Sequence, residues 1–482
     1  MKQITPKCTL TVILIVVISF TARAQTYVSG GIYSNTTWTY AQSPYIVTGT
    51  VVVFPGITLT IEPGVLIKFD NDQQLEIRQA TLMAMGTPAD SIIFTSNSSS
   101  PVAGIWNNVY LNGSHTSRLS YCSFSYAHDG IMAHITGSDT LFLKTSNCYN
   151  NFNGLYLYGT CMVDSCNVFD NTWGMITNWY NGVIHYCNVF NNQYNGVELS
   201  GGIVRNCNIS CNGQHGINGY QSSYSLVENC TIEYNQNVGV LAQGAMHVNN
   251  CIFLNNIIGY ESIVGWHDTV TRCLFQHNTI GFSCYSGFEG VYTNNLFQDD
   301  STGLVINNPN NTFTCNTFLN NFIYSVAYES TTNSNCMINN YWGTGDSATI
   351  ESFIYDGYDN VAYGLLSFIP FYLTSCPNTG PESFSSPVGC SNVVSVNEVL
   401  SEENKIEIYP NPTNIKVTIV IKQEVSGEIQ VTILNMRGEQ ILNSIFHNQN
   451  KMEVDLNMLA KGIYLVKIQT SKGVKTKKLV IQ

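Results

Sequence analysis

The sequence predicts an all-β fold: a right-handed parallel β-helix, a solenoid of short strands, followed by a small C-terminal β-sandwich. Three observations carry that prediction. A motif recurs about every 21 residues between positions 119 and 345. Charged residues make up 11% of the chain, against about 25% in an ordinary globular domain, and Asn, Ser, Thr, Tyr and Gly fill the gap. Beyond residue 404 the repeat ends and the local charge changes sign.

The repeat is plainest around Cys166. An apolar residue follows two positions on (Val168), Asn at five (Asn171), and a Gly-apolar step at eight (Gly174-Met175). The same order runs from Cys187 through Val189, Asn192 and Gly196, and from Cys207 through Ile209, Asn212 and Gly216. It continues from Cys230, Cys251 and Cys273, the last two with Phe253 and Phe275 at the apolar position. Cys122 and Cys148 read as looser opening copies. Asn295 and Asn316 take the Cys position before Phe297 and Phe318, and Cys336 with Ile338 reads as the last copy. Helical hairpin repeats need about 34 residues, so this period fits one three-stranded coil of a parallel solenoid. No coil can bury its apolar row alone; stacking at roughly 4.8 Å per coil buries each row against the next. The residue at +2 is expected to point inward, the Asn at +5 to form a ladder at a turn, and the Gly to permit a tight bend. Crossovers between parallel strands make the winding right-handed.

Residues 1–24 read as a Sec signal peptide. Lys2 and Lys7 precede an apolar run from Leu10 to Phe20 that is too short to span a bilayer, and Ala22-Arg23-Ala24 gives a small-x-small cleavage pattern. Cys8 lies in the approach to that run and not at the cleavage point, which argues against a lipid anchor. No later stretch is apolar enough for a transmembrane helix.

Sixteen cysteines in an exported chain suggest disulfides. Cysteines at one offset in successive coils stand parallel about 4.8 Å apart, whereas a disulfide needs converging Cβ atoms near 3.8 Å. Cys166, Cys187, Cys207, Cys230, Cys251 and Cys273 therefore read as a buried row of free thiols packing as small apolar groups. Cys376 and Cys390 lie outside that row and are the expected disulfide pair.

Further segments carry a resemblance. Thr37-Trp38, the run Leu59-Thr-Ile-Glu-Pro-Gly64 and Ile93-Phe94-Thr95-Ser96 resemble the opening coils of bacterial right-handed parallel β-helix proteins. Asn339-Asn-Tyr-Trp-Gly343 and Ile354 to Asn360 resemble their closing segment, and a cap is required because an open end exposes strand edges and core. Residues 374–402, rich in Pro, Ser, Gly and Asn, read as a linker. Six or so short alternating strands then imply a small sandwich. There, Ile408-Tyr-Pro-Asn-Pro412, Ile433-Leu-Asn-Met-Arg-Gly438, Gly462-Ile-Tyr-Leu-Val-Lys467 and Lys478-Leu-Val-Ile481 resemble the type A C-terminal sorting domain of the type IX secretion system of Bacteroidota. The resemblance implies export to the cell surface or medium with the secretion machinery as partner. The expected organisation is a signal peptide at 1–24, a capped β-helix at 25–373, the linker at 374–402 and the sorting domain at 403–482.

Charge bears on function. From Gln25 to Asn404 there are 6 Lys and Arg against 26 Asp and Glu, while residues 405–482 hold 11 against 6. The acidic body repels nucleic acid and polyanionic sugars. A glycosidase needs two carboxyls about 5–9.5 Å apart, so the acids must share an offset in one coil or in neighbouring coils. Asp170 and Asp299 share an offset six coils apart, and Glu198 and Glu261 three coils apart. Asp268 and Glu289, beside Trp266, His267 and Phe288, are the nearest to a pair. Asp70-Asn71-Asp72 reads as a polar turn. A lyase wants a cation beside clustered acids, and Arg205 and Arg272 have none near in sequence. His185, His215, His247 and His277 sit at different offsets, so neither a zinc site nor a catalytic triad is expected. No catalytic residue, cofactor or metal is assigned. The balance leans away from an enzyme, toward an adhesin-like surface protein binding a neutral extracellular glycan or matrix. A polysaccharide-degrading hydrolase or lyase is the alternative, on fold analogy. If the repeat is read correctly, Phe275→Ala costs about 3–5 kcal/mol in chemical denaturation, as truncation of a core aromatic does; a variant as stable as the parent would remove Phe275 from the core.

Overall fold

A computed structural model describes residues 25–383 and 406–481, apart from short stretches at 179–181, 221–223, 286, 331–333, 412, 414, 422–426, 436–439, 458 and 471–472. The expected signal peptide lies outside the described residues. The chain forms two compact units that divide near residue 389.

One coil shows how the first unit is built. Its strands are Cys161–Asp164, Asn167–Phe169 and Trp173–Asn178. Each pairs in parallel with the corresponding strand of the coils before and after. First strands make a 13-stranded sheet from Thr36–Trp38 to Thr312–Thr314, while second and third strands join in a 27-stranded sheet. Alternation within each strand divides its residues: Val163, Val168 and Met175 are fully buried, and Met162 and Asp164 face out.

The first and second strands of a repeat coil are short because a left-handed backbone residue ends each of them. Ser165 and Asp170 have φ of 57° and 54°, and Tyr186 with Asn191 and Asn206 with Cys211 repeat the pair in the next coils. The bends are thus made by non-glycine residues, many of them Asn, which tolerates this region better than most side chains. The repeat glycines do a different job from the expected one. They lie in or immediately before the third strands, where a Cβ on Gly216 would come within 2.6 Å of the Gly239 carbonyl oxygen and one on Gly239 within 2.5 Å of that of Gly259. They are needed for close approach between coils.

Two ladders satisfy the corners. At the second, the Asn171 N–H and Nδ2 both donate to Asn192 Oδ1, at 3.2 and 3.0 Å, and Nδ2 also reaches the Cys148 carbonyl. The same exchange links Asn192, Asn212, Asn235, Asn256 and Asn278. At the first corner, the Cys166 N–H donates to Cys187 Sγ and the Cys187 N–H to Cys207 Sγ, both at 3.4 Å, and each thiol donates to a carbonyl. The buried free thiols are present as expected, but they act as hydrogen-bonding groups as well as apolar ones.

This function redraws the series. Ser146 holds the slot between Cys122 and Cys166, accepting the Cys122 N–H at 3.1 Å, while Cys148 pairs with Val168 at the inward position. Asn340, not Cys336, closes the row by accepting the Asn316 N–H at 2.8 Å; Cys336 is exposed.

Inside, aromatic rings stack coil on coil. Phe253, Phe275, Phe297, Phe318 and Trp342 follow one another at centroid spacings of 4.8–4.9 Å. Trp342 belongs to the cap, which continues into the helix Ser347–Glu351, N-capped by Asp346, and the strand Ile354–Tyr355. At the other end Thr26–Ile32 and the stacked pair Trp38 and Tyr45 cover the first coils.

Beyond the cap the chain turns back. Cys376 is disulfide-bonded to Cys315, with Cα atoms 5.4 Å apart. Cys390, its expected partner, lies outside the described residues. Gly380 N–H donates to the Asn294 carbonyl, Arg272 pairs with Glu382 at 2.6 Å, and the Glu382 N–H donates to Asn250 Oδ1. Residues 376–382 therefore form a strap across four successive first corners.

The second unit holds two antiparallel sheets. One comprises Ile406–Tyr409, Lys416–Ile421 and Lys451–Asp455; the other Glu428–Leu434, Gln440–His447, Gly462–Thr470 and Gly473–Ile481. Val417, Ile419, Val431, Ile433, Val466 and Leu479 form its core.

One rung departs in chemistry. Asp300 stands where Asn is expected, accepting the Asn278 N–H and Nδ2 on Oδ1 at 2.7 and 3.0 Å. Oδ2 then holds the place of the amide NH2, which at Asn278 donates to the Phe253 carbonyl and at Asn321 to the Phe297 carbonyl. As an acceptor Oδ2 has no partner, and burial pushes this carboxyl well above the usual range. A proton on Oδ2 restores the missing donor. In the unfolded chain Asp ionises above about pH 4. The rung's contribution is therefore full below that pH and is lost as pH rises toward the raised folded value. Asp300→Asn supplies the donor at every pH. The variant is expected to be more stable than the parent by about 1–3 kcal/mol at neutral pH, the gap closing near pH 4 in urea titrations. A gap independent of pH would exclude the protonated rung.

Candidate functional site

Stacking fixes the inward and corner positions of a coil but leaves its outward ones free. On the third strands the residue before the repeat Gly and the second after it point away from the core, though neighbours cover most of them: Asp129, Asn153, Asn195, Glu198 and Asn218 are 3–7% exposed. The first position carries Asn108, Asp129, Asn153 and Trp173 in successive coils, then Asn195 and His215. The second carries Tyr110, Met132, Tyr156, Ile176, Glu198 and Asn218. Toward the C-terminus the face becomes mainly apolar, with Val238, Ile258 and Ile280 in the first row and Leu241, Val305 and Ala327 in the second, where Glu261 and Ser283 interrupt it. The N-terminal half is thus a strip of amides, carboxylates and aromatics.

Its polar groups hold one another. Asp129 accepts from Asn108 Nδ2 at 3.3 Å and Asn153 Nδ2 at 2.7 Å. Glu198 accepts from Asn195 Nδ2 on one oxygen and from Asn218 Nδ2 at 3.2 Å on the other. Burial raises the Glu198 carboxyl above its ordinary value, opposed by hydrogen bonds from Asn195, Asn218 and Tyr220. Asn108 Oδ1, Asn153 Oδ1 and His215 Nδ1 are buried acceptors without a partner. Burial also lowers the His215 imidazole, which favours its neutral form.

Aromatic rings flank the strip. His128 stacks on Phe152 at 4.9 Å and Trp173 leans on Tyr194 at 4.7 Å. Tyr110, His134 and Tyr158 meet edge to face, each step 5.6 Å. Phe152, Tyr158 and Tyr220 are 40–48% exposed, so their rings are available to a ligand.

The sequence-level candidates fall elsewhere or stand apart. Asp268 is 1% exposed and holds the Met246 N–H, Tyr260 OH and Ser262 OH, while Glu289 is exposed, so the two are not a pair. The side chains of Trp266 and Phe288 lie outside the described residues. Glu198 and Glu261 share a row three coils apart, as the period requires, and Asp170 and Asp299 sit at second corners. Asp70 accepts from Asn97, and Asp72 occupies a left-handed turn position. Arg205 pairs with Glu228 and Arg272 with Glu382. His185 and His247 lie in different rows of the first-strand sheet, and His277 at a corner. Among the described residues no group of three His, Cys, Asp or Glu is placed to hold a metal, and no helix is long and apolar enough to cross a membrane. The strip itself was missed. Its signal was the residue before each repeat Gly, where Asn, Asp, Trp and His replace the expected strand formers.

Comparison with known proteins bears on both units. The family described as "Right handed beta helix region" matches residues 175–265, and the "Pectate-lyase like beta helix domain" matches residues 30–123. None of the curated proteins matches the chain. Among solved structures, the A-module of a mannuronan C-5 epimerase from Azotobacter vinelandii is 12% identical, with 70% of this chain and 91% of that one covered and a TM-score of 0.39. A periplasmic alginate epimerase is 11% identical over 62% and 76%, at a TM-score of 0.30. The enzymatically active domain of tailspike protein 4 of bacteriophage CBA120 is 10% identical over 90% and 62%, at 0.25. Such values carry no information on activity. The family described as "Secretion system C-terminal sorting domain" matches residues 407–482, almost the whole second unit. The chain therefore carries a right-handed β-helix body and a secretion system C-terminal sorting domain.

Proposed function

We propose that this protein is exported by type IX secretion to the cell surface or medium, and there binds a neutral glycan along the polar strip of the third strands without cleaving it. The sorting domain supports export through that machinery. The observation that favours binding is the strip itself: pre-ordered amides and carboxylates beside exposed aromatic rings. Sugar hydroxyls suit the amides and carboxylates at the edges of the strip, and pyranose faces suit the rings. Neutrality of the ligand follows from charge. The acidic body repels polyanions, and among the described third strands only Arg78 carries a cation, already paired with Glu76 at 2.7 Å.

Geometry disfavours hydrolysis. Asp129 and Glu198 are three coils apart, about 14 Å at the spacing between strands, beyond the roughly 5–9.5 Å that glycosidase carboxyls span. A glycan array followed by a reducing-sugar assay on the hits tests the reading. Trp173→Ala and Tyr158→Ala are expected to weaken binding at least about tenfold each, the loss of one stacking platform, with no sugar released by the parent. Release of sugar that Glu198→Gln abolishes would make the strip an active site. Asp268→Ala is expected to lower stability by about 2–4 kcal/mol, through loss of the acceptor for the buried Met246 N–H and Tyr260 hydroxyl, and to leave binding unchanged.

A further inference from the structure

The outer face of the first-strand sheet is unlike the rest of the solenoid surface. One outward row is apolar through five successive coils: Phe142, Met162, Val183, Ile203 and Leu226. Beside it runs a charged row, Lys144, Asp164, His185, Arg205 and Glu228. Three of the six cations between Gln25 and Asn404 lie on this sheet, counting Arg118, whose guanidinium covers Phe142 at 4.2 Å. Within the chain Lys144 pairs with Asp164 at 3.3 Å and Arg205 with Glu228 at 2.6 Å. The side chains of the charged row remain 23–63% exposed.

The order of signs along that row is positive, negative, His, positive, negative, and it inverts about His185. We propose that this face is a self-association surface on which two copies of the chain pack antiparallel, about a twofold axis running along the strand Val183–His185. Such an axis reverses the order of coils and keeps each row opposite itself. Asp164 then faces Arg205 of the second copy and Lys144 faces its Glu228, each contact occurring twice. In the apolar row Met162 meets Ile203, Phe142 meets Leu226, and Val183 meets its own counterpart.

The alternatives are selected against. Parallel packing either sets every charge on its own kind, when the charged rows lie opposite, or sets the charged row against the apolar one. Moving the axis half a coil one way puts Lys144 opposite Arg205; half a coil the other way puts Asp164 opposite Glu228. Only the register centred on His185 pairs all four charges with opposites, and like charges face to face cost several kcal/mol in the wrong registers. Seven coils, from Arg118 to His247, give a contact of roughly 400 Å² per copy at ordinary strand dimensions. That is about half the usual 800 Å² per partner, so the dimer is weak and concentration-dependent.

Sedimentation velocity of the full chain, purified after export, over about 1–500 µM tests this. The expected result is a monomer–dimer equilibrium that Val183→Glu weakens at least tenfold, by setting two carboxylates on the axis. Val183 faces out, so the far-UV circular dichroism of this variant should match the parent. In a background with Cys336→Ser, which removes the exposed free thiol among the described residues, and Cys390→Ser, Val183→Cys should form a covalent dimer on mild oxidation. A chain that stays monomeric throughout the range, a dimer indifferent to Val183→Glu, or a Val183→Cys variant that does not cross-link would each overturn the proposal.

Discussion

Each coil of this solenoid leaves a backbone N–H at its corner facing the next coil, and a side chain one coil on supplies the acceptor. Everything else follows from that exchange. It fixes the coil spacing, because acceptor and donor must meet at hydrogen-bond distance in every repeat. It fixes the period, because the acceptor must return to the same place after one turn. It also explains which residues recur: Asn carries acceptor and donor on one planar group, so it can serve the coil on each side. Cys and Ser do the same less completely, with one polar atom. The aromatic column inside rests on this spacing, since rings held one coil apart are already at stacking distance.

Legibility in the sequence tracks how strictly stacking constrains a position. The inward row was readable from Val168 to Phe318, because only apolar groups are tolerated there. The Asn ladder was readable because one residue type fits best. The first-corner ladder was read as a cysteine series and misassigned twice, at Cys148 and Cys336. What the position selects is an acceptor, and Ser146 and Asn340 meet that need as well as a thiol does. The disulfide was misassigned for another reason: the Cys315 thiol points out from a corner that is periodic in backbone only, and its partner returns from 61 residues away. Spacing along a chain does not report such a return. The polar strip was harder to read for the complementary reason: outward positions carry no stacking requirement, so the polar residues before the repeat Gly change type from coil to coil.

That freedom has a functional meaning. A solenoid offers several long faces built on one rigid lattice, and each can drift in composition without disturbing the core. Here the third-strand face has become amide-rich and aromatic at one end and apolar at the other, while the first-strand face has acquired a charge order of its own. Asp268 illustrates the contrast. Its acid suggests chemistry in the sequence, yet it is spent internally on the Met246 N–H and on the Tyr260 and Ser262 hydroxyls.

The strap closes the molecule mechanically. Tension on the chain beyond Glu382 meets the Arg272 pair and the Asn250 bond first, then the Asn294 contacts, and is arrested at the Cys315–Cys376 link. Load therefore enters the solenoid through a side wall, upstream of its last turn, and the terminal cap carries none of it. Coils pulled sideways must break a whole row of hydrogen bonds together, whereas an end turn pulled outward peels one bond at a time. A tether placed this way turns a fraying end into a sheared wall.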